Sequence, residues 1–398
     1  MFAPRQRLTL PLLAAALCAA AGCAKPQVGA SLAPDQVLVY RTPDGWELDL
    51  RHYPGEGPPV LLVHGMGANH YNWDFRPEVS FAYYLHQQGW DVWVPELRGD
   101  MGARAPDRKA AKNFTFDDHA RLDLPAAVDA VLAETGEPQL FWVGHSMGGM
   151  LLYAALAQFP ERITAGVTIG APANFRDPNR IHNAARRAGW LVPRRGRLAN
   201  NFWYTVSRVF GDRNPIYTVL SNKENLDWPV TRGLGAVALE DMSRPTVKQV
   251  HLWLREGEFT DVEGHPWVRP PDEPVPMLVV AGSVDKVAVP STVAAACDVY
   301  EDCEFVLAGR ETGFSTDYGH IDPVVGATAR GEIYPLVSGF LAEHLPSGVT
   351  LAPPDDGWSP IVEEEPVHTG RDATARGPDW RDAALPTRRA ADSVLAEE

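Results

Sequence analysis

The feature that most constrains this chain is Gly144-His145-Ser146-Met147-Gly148-Gly149, with the apolar run Leu140–Val143 directly before it and the helical pattern Met147–Phe159 directly after it. A strand that turns at once into a helix places strained backbone angles on the vertex residue, here Ser146. Side chains two positions to either side would collide, and Gly144 and Gly148 remove them. The vertex side chain then points away from the sheet, and the Met147 N–H sits at a helix start, where it can donate to an anion. A serine hydroxyl held this way is a nucleophile only if a base takes its proton. Such chemistry requires a base, an acid to orient it, and further N–H donors.

The rest of the chain has a consistent rhythm. Val37–Tyr40 and Trp46–Tyr53, separated by Pro43-Asp44-Gly45, read as a hairpin. Pro59–Val63, Trp90–Val94, Gln139–Val143, Ile163–Ile169, Pro276–Ala281 and Glu304–Leu307 read as strands. Phe81–Gln88, Phe116–Ala133, Met147–Phe159, Ser291–Tyr300 and Ile333–His344 read as helices between and after them. Continuous apolar strands alternating with helices predict an α/β fold, a mostly parallel sheet covered on both faces.

Three further phrases complete the chemistry. His64-Gly65-Met66-Gly67 follows the early apolar strand, Met277–Ala281 runs into Gly282-Ser283-Val284-Asp285, and Tyr318-Gly319-His320-Ile321-Asp322 lies near the end. Together with the Gly-x-Ser-x-Gly turn, these make the chain resemble the α/β-hydrolase superfamily from about Val37 to Leu345, in which the order is Ser, acid, His. The resemblance implies Ser146 as nucleophile, His320 as base and Asp285 as the acid that orients the imidazole. It also implies an oxyanion hole made of the Met66 and Met147 N–H groups, and a structural role for His64 in holding that loop. Asp177 and Asp317 are the competing acids, and His145 and His70 the competing histidines. Asp322 is expected to brace the histidine loop. Asp100, Asp107, Asp117 and Asp118 are expected to be solvated surface acids or helix-start acids.

One stretch breaks the rhythm. Residues 171–270 contain no convincing strand but hold five of the twelve Trp, at 190, 203, 228, 253 and 267. We read them as a helical cap inserted between the two parts of the core, residues 23–170 and 271–346. Its large aromatics either pack the cap onto the core, or Trp190, Phe202, Trp203, Tyr204 or Trp253 line a channel for an acyl chain. Within the superfamily, Asp118-His119-Ala120-Arg121-Leu122-Asp123-Leu124-Pro125-Ala126 and Val250–Phe259 resemble the acid-lipase and esterase branch. The turn departs from that branch, since Met147-Gly148-Gly149 stands where gastric-type lipases have Gln-Gly-Thr. Polyhydroxyalkanoate synthases share similar phrases but use Cys where this chain has Ser146.

The first residues form an address. Arg5 and Arg7 precede the apolar run Leu8–Ala21, and Ala20-Ala21-Gly22-Cys23 follows. Basic residues, a short apolar stretch and small residues make a secretory signal, residues 1–22, and the run is shorter than the ~20 residues a spanning helix needs. The junction resembles a bacterial lipoprotein cleavage site, with Ala20 where Leu is usual. That resemblance implies lipidation of Cys23, and Ala24 after it implies the outer membrane. Export leaves Cys297 and Cys303 as an even pair in an oxidising compartment, and a disulfide between them is expected.

Charge sharpens the picture. The chain carries −15 overall, which argues against a general nucleic-acid binder. Yet the cap carries +5, with Arg186, Arg187, Arg194, Arg195 and Arg197 close together, whereas residues 347–398 carry −6 and read as a disordered, Pro-rich acidic tail. The basic cluster is either a solvated edge or a face toward anionic headgroups. Gly65-x-Gly67 lacks the rest of a dinucleotide loop, and there is no HExxH, paired CxxC or EF-hand pattern, so neither cofactor nor metal is expected. The leading expectation is a lipid-anchored serine hydrolase for a carboxylic ester with an apolar acyl group. The alternatives are an acyltransferase using the same three residues and a non-catalytic surface lipoprotein on a hydrolase scaffold.

Overall fold

A computed structural model describes residues 34, 36–188, 215–240 and 242–352. The signal segment with Cys23, the cap residues Trp190, Arg194, Arg195, Arg197, Phe202, Trp203 and Tyr204, and the acidic tail from residue 353 onward lie outside the described residues.

Eight strands form one sheet: β1 (Gln36–Arg41), β2 (Glu47–Tyr53), β3 (Pro59–Val63), β4 (Asp91–Pro95), β5 (Leu140–His145), β6 (Ile163–Ile169), β7 (Met277–Gly282) and β8 (Cys303–Ala308). Their spatial order is β1-β2-β4-β3-β5-β6-β7-β8. The hairpin β1–β2 is antiparallel and β2 pairs antiparallel with β4, while every pairing from β4 to β8 is parallel. This is an α/β-hydrolase fold, and the expected layering holds.

The unbroken apolar strands follow from burial on both faces. In β3, Leu61 and Val63 pack into one core cluster and Val60 and Leu62 into the other. In β7, Met277, Val279 and Ala281 face the first cluster, and Leu278 and Val280 the second. A side-chain period of two, with no polar face to leave exposed, requires such runs.

The main helices are α1 (Phe81–His86), α2 (Leu124–Thr135), α3 (Met147–Leu156), α4 (Arg180–Ala188), α5 (Pro215–Leu220), α6 (Trp228–Val237), α7 (Arg244–Glu256), α8 (Pro290–Ala294) and α9 (Ala329–Glu343). All ten residues of α3 are buried, which explains its lack of a polar stripe. The expected single helix Phe116–Ala133 is instead three pieces: a turn at Phe116–Asp118, a wide π turn at His119–Asp123, and α2. Pro125 explains the break, because it has no N–H to give and its ring crowds the carbonyl one turn back.

Between β6 and β7 the described residues hold α4 to α7 and no strand. This segment touches the core at chosen points. Ala68 and Leu239 form an isolated antiparallel bridge, and Glu240 N–H donates to the Gly67 carbonyl at 2.8 Å. Trp253 is fully buried against Phe116, Phe175 and Phe259, and its Nε1–H donates to Thr260 O at 2.7 Å. Its role is packing, which removes it from the residues expected to line a channel. Arg186 donates to the Arg255 carbonyl, joining α4 to α7, and Arg187 is exposed. No helix among the described residues is long and apolar enough to cross a membrane. Cys297 and Cys303 are joined by a disulfide that ties the turn after α8 to the start of β8.

The two-faced core makes a direct prediction. Leu62 lies in β3 with no exposure. Leu62→Ala is expected to lower the unfolding free energy by about 2–5 kcal/mol in urea denaturation, by lost burial and the cavity left behind.

Candidate active site

The site is assembled where β5 meets α3. Ser146 has φ 52° and ψ −117°, and is the one non-glycine residue with positive φ among those described. The neighbouring glycines are required by contact. A Cβ on Gly148 would sit 2.0 Å from the Val63 carbonyl oxygen, and one on Gly144 would sit 2.3 Å from the Gly148 carbonyl carbon. These are backbone obstacles, so no side-chain rotation relieves them. Ser146 N–H donates to the Ile169 carbonyl at 2.8 Å, which ties the strained residue to β6.

Three side chains from distant parts of the chain meet here. Ser146 Oγ lies 3.0 Å from His320 Nε2, and His320 Nδ1 lies 2.8 Å from Asp285 Oδ2. Asp285 follows the end of β7, and its other oxygen accepts from the Val287 and Ala288 N–H groups at 2.7 and 2.9 Å. That carboxylate is thus held on both oxygens, and both Asp285 and His320 are buried. The competing acids are occupied elsewhere. Asp177 accepts from Ser291 Oγ, and Asp317 accepts from Ser283 Oγ and from Arg310 N–H.

The loop after β3 lies against the serine. A Cβ on Gly65 would be 3.2 Å from Ser146 Cβ, so Met66 stands one residue from direct contact with the turn. Met147 opens α3 and is buried. His64 anchors this loop. Its Nδ1 donates to the Gly65 carbonyl at 3.0 Å, and its Nε2 lies 3.0 Å from Asp100 Oδ2. Burial pushes the imidazole down, but the Asp100 carboxylate outweighs it and raises His64 to about 9.

Asp100 corrects the expectation of a solvated acid. It is largely buried behind the loop and also accepts from Leu97 N–H at 2.7 Å. Asp117 is likewise buried, accepting from Gln249 Nε2, Val262 N–H and Trp267 Nε1. The helix-start reading holds for Asp117 and Asp118, both in the first turn at Phe116–Asp118, with Asp118 in a capping box with Thr115, and Asp107 is exposed and caps Lys109 and Ala110. Sequence spacing cannot distinguish these cases, because what covers Asp100 and Asp117 comes from other segments.

Two more histidines flank the site. His70 Nδ1 lies 2.5 Å from Glu96 Oε1, and Arg51 is 3.7 Å from the same oxygen. His145 is buried next to the serine, with Nε2 3.0 Å from the His320 carbonyl and Nδ1 3.0 Å from Asn72 Oδ1. Burial, helped by His320, pushes His145 down to about 3, so it is neutral. Asn72 was not singled out by any sequence motif.

Asp322 ties the histidine loop to the segment between β6 and β7. Its Oδ2 accepts from the Gly319 and Asn222 N–H groups, both at 2.7 Å. Burial raises its carboxyl to about 7 in spite of those donors. His320 and Ile321 N–H groups both donate to the Leu220 carbonyl, at 2.9 and 3.0 Å. Among the described residues, two His and acid groups have ligand-type atoms within 4.8 Å of one another: His64, Glu96 and Asp100, and Asp261, Glu263 and His265. In the first, His64 pairs with Asp100; in the second, Arg121 pairs with Asp261 and Glu263.

Comparison with known proteins agrees with this architecture. The family described as alpha/beta hydrolase fold matches residues 58–309, and the chain belongs to that family. It is 34% identical over 143 residues to human gastric triacylglycerol lipase, covering 32% of this chain and 36% of that protein. It is 32% identical, over the same length and shares, to human lysosomal acid lipase/cholesteryl ester hydrolase. The chain thus spans about a third of the length of these relatives. Among solved structures, a putative lipase from Acinetobacter baumannii superposes with a TM-score of 0.52 at 16% identity, over 86% of this chain and 99% of that one, a likeness of fold.

The His64–Asp100 pair has a pH signature. A base whose folded pKa is raised stabilises fully below its unfolded value, and that stability is lost as pH rises through the folded value. Unfolding free energy is expected to fall between about pH 6.5 and about pH 9. Asp100→Asn should remove most of that slope, as measured by denaturation at a series of pH values.

Proposed function

We propose that this protein is a serine hydrolase that cleaves a carboxylic ester bearing an apolar acyl group. The observation that carries the reading is the unbroken contact from Ser146 Oγ through His320 to Asp285. In this reading His320 Nε2 takes the hydroxyl proton as Ser146 Oγ attacks the ester carbonyl. Asp285, buried and doubly anchored, keeps the proton on His320 Nδ1 and stabilises the imidazolium. The Met66 and Met147 N–H groups receive the oxyanion, each such donor being worth about 3–4 kcal/mol in the transition state. His320 then returns its proton to the leaving alcohol, and water repeats the sequence to release the acid from the acyl-enzyme. The names of the gastric and lysosomal lipase relatives support an ester substrate. The aromatic-rich sequence between β6 and β7, with Trp190, Phe202, Trp203 and Tyr204, supports an apolar acyl group.

A labelled fluorophosphonate is expected to tag the protein at Ser146. Ser146→Ala should abolish tagging and lower kcat on a p-nitrophenyl ester by about 10⁴-fold or more. A folded wild-type protein that neither tags nor hydrolyses any member of a series of esters of increasing acyl length would sink the reading. The same series fixes the preferred length.

We also propose export and lipid anchoring through Cys23, in a bacterial outer membrane. Support comes from Arg5, Arg7, the short apolar run and the small residues before Cys23. More than one acyl chain at that position holds a protein on a bilayer stably, each buried methylene contributing about 0.8 kcal/mol. Expressed in a Gram-negative bacterium with labelled palmitate, the wild type should carry label in the outer-membrane fraction. Cys23→Ser should carry none and leave that fraction; a labelled variant would refute the assignment.

A further inference from the structure

His145 occupies the variable position of the Gly-x-Ser-x-Gly turn, yet its surroundings leave it little freedom. Its Nε2 faces the His320 carbonyl at 3.0 Å, and a carbonyl only accepts, so Nε2 carries the proton. In the neutral ring Nδ1 is then a bare acceptor. It lies 3.0 Å from Asn72 Oδ1, another acceptor, while the Asn72 amide nitrogen is buried and has no partner among the described residues. Turning that amide by 180° satisfies both groups at once: the Asn72 NH₂ donates to Nδ1, and His145 Nε2–H donates to His320. The charged alternative, with both ring nitrogens donating, is opposed by full burial and by the His320 ring, 5.1 Å away between centroids.

The base is thereby fixed at four points. Its ring contacts Asp285 and Ser146, its N–H donates to the Leu220 carbonyl, and its own carbonyl is held by His145. The last contact is the one that links the base to the nucleophile's turn through the adjacent residue. Asn72 extends the line to the loop after β3. That loop is itself braced, since Asn69 accepts from Tyr71 N–H and donates to the Val237 carbonyl and to Glu240.

We propose that His145 is a positioning residue for the base, holding the main-chain carbonyl of His320 through Nε2–H while Asn72 fixes its tautomer through Nδ1. The role rests on the serine-hydrolase reading above. His145 transfers no proton and touches no substrate. It sets the register between nucleophile and base, where a displacement of about 1 Å costs on the order of 10²-fold in rate.

The test uses the full chain and counts active serines by fluorophosphonate titration, so that kcat is expressed per competent site. Loss of fold lowers the number of titrated sites; loss of alignment lowers kcat at each one. His145→Leu is expected to reduce kcat per titrated site by about tenfold or more, with KM within about twofold. His145→Gln, whose amide can again donate to the His320 carbonyl, should recover most of that loss. Asn72→Leu keeps the His145 ring but frees its tautomer, and should lose kcat by a smaller factor. The pH at which kcat/KM falls on the acid side should be the same in all three, because a neutral His145 does not titrate there.

Wild-type kcat per site in His145→Leu would overturn the proposal, as would a Gln variant no better than the Leu variant. Should His145→Leu fail to fold, Asn72→Leu at wild-type kcat would overturn it equally. A wild-type protein that neither labels nor turns over an ester rejects the hydrolase reading itself, and the positioning role with it. A labelled, active wild type with unaffected variants rejects only the positioning role.

Discussion

The whole arrangement depends on how closely α3 approaches the end of β3. With Gly148 against the Val63 carbonyl, the first turn of the helix lies on the backbone of the neighbouring strand, not on its side chains. Only that closeness lets one residue, Ser146, reverse the chain between strand and helix. It also brings the loop after β3 alongside the serine. The strain at Ser146 is held in place by its N–H bond to β6 and by a helix buried along its whole length. The rigid scaffold and the strained vertex are therefore one object: loosening the packing of α3 would relax the serine out of position.

Around the loops that reach that vertex the protein buries paired polar groups where a sheet protein would ordinarily bury hydrocarbon. His64 with Asp100, His70 with Glu96, and Arg98 with Asp123 are paired groups on or beside the loops that reach the site, and Arg98 also reaches out to the exposed Asp44. Burying such pairs is seldom a net source of stability, because desolvation offsets much of the attraction. Their effect here is directional. Each fixes a loop by hydrogen bonds that tolerate little rotation, where apolar packing would allow the loop to slide. Arg98 shows this well, with one face of its guanidinium over Trp46 and its nitrogens shared between two carboxylates from separate segments.

Much of this was legible in the sequence, for identifiable reasons. The strands were readable because burial on both faces leaves apolar runs with no alternation to confuse them, as in Pro59–Val63 and Met277–Gly282. Ser146, Asp285 and His320 were readable because each sits at the end of a strand or in a glycine-bearing loop with its own local phrase, and the structure brings these three side chains together. Less legible were contacts that join segments far apart in sequence. Nothing near Asp100 signals His64, and nothing near Asn72 signals His145, because each pairing is made by sheet topology. The segment from Phe116 departs from its sequence for the opposite reason: its apolar periodicity is that of one helix, but Pro125 forces a wide turn that periodicity does not register.

The bonds from His320 and Ile321 to the Leu220 carbonyl carry a mechanical consequence. Leu220 is the last residue of α5, and Asn222, two residues further on, is held by Asp322, two residues beyond His320. The end of α5 and the histidine loop therefore move as a single lever. Any load that shifts this helix end, from whatever occupies the segment between β6 and β7, is transmitted to the imidazole through two hydrogen bonds rather than through a flexible linker. The end of α5 and the loop that bears His320 are geared together, and the alignment of that imidazole reports the posture of α5.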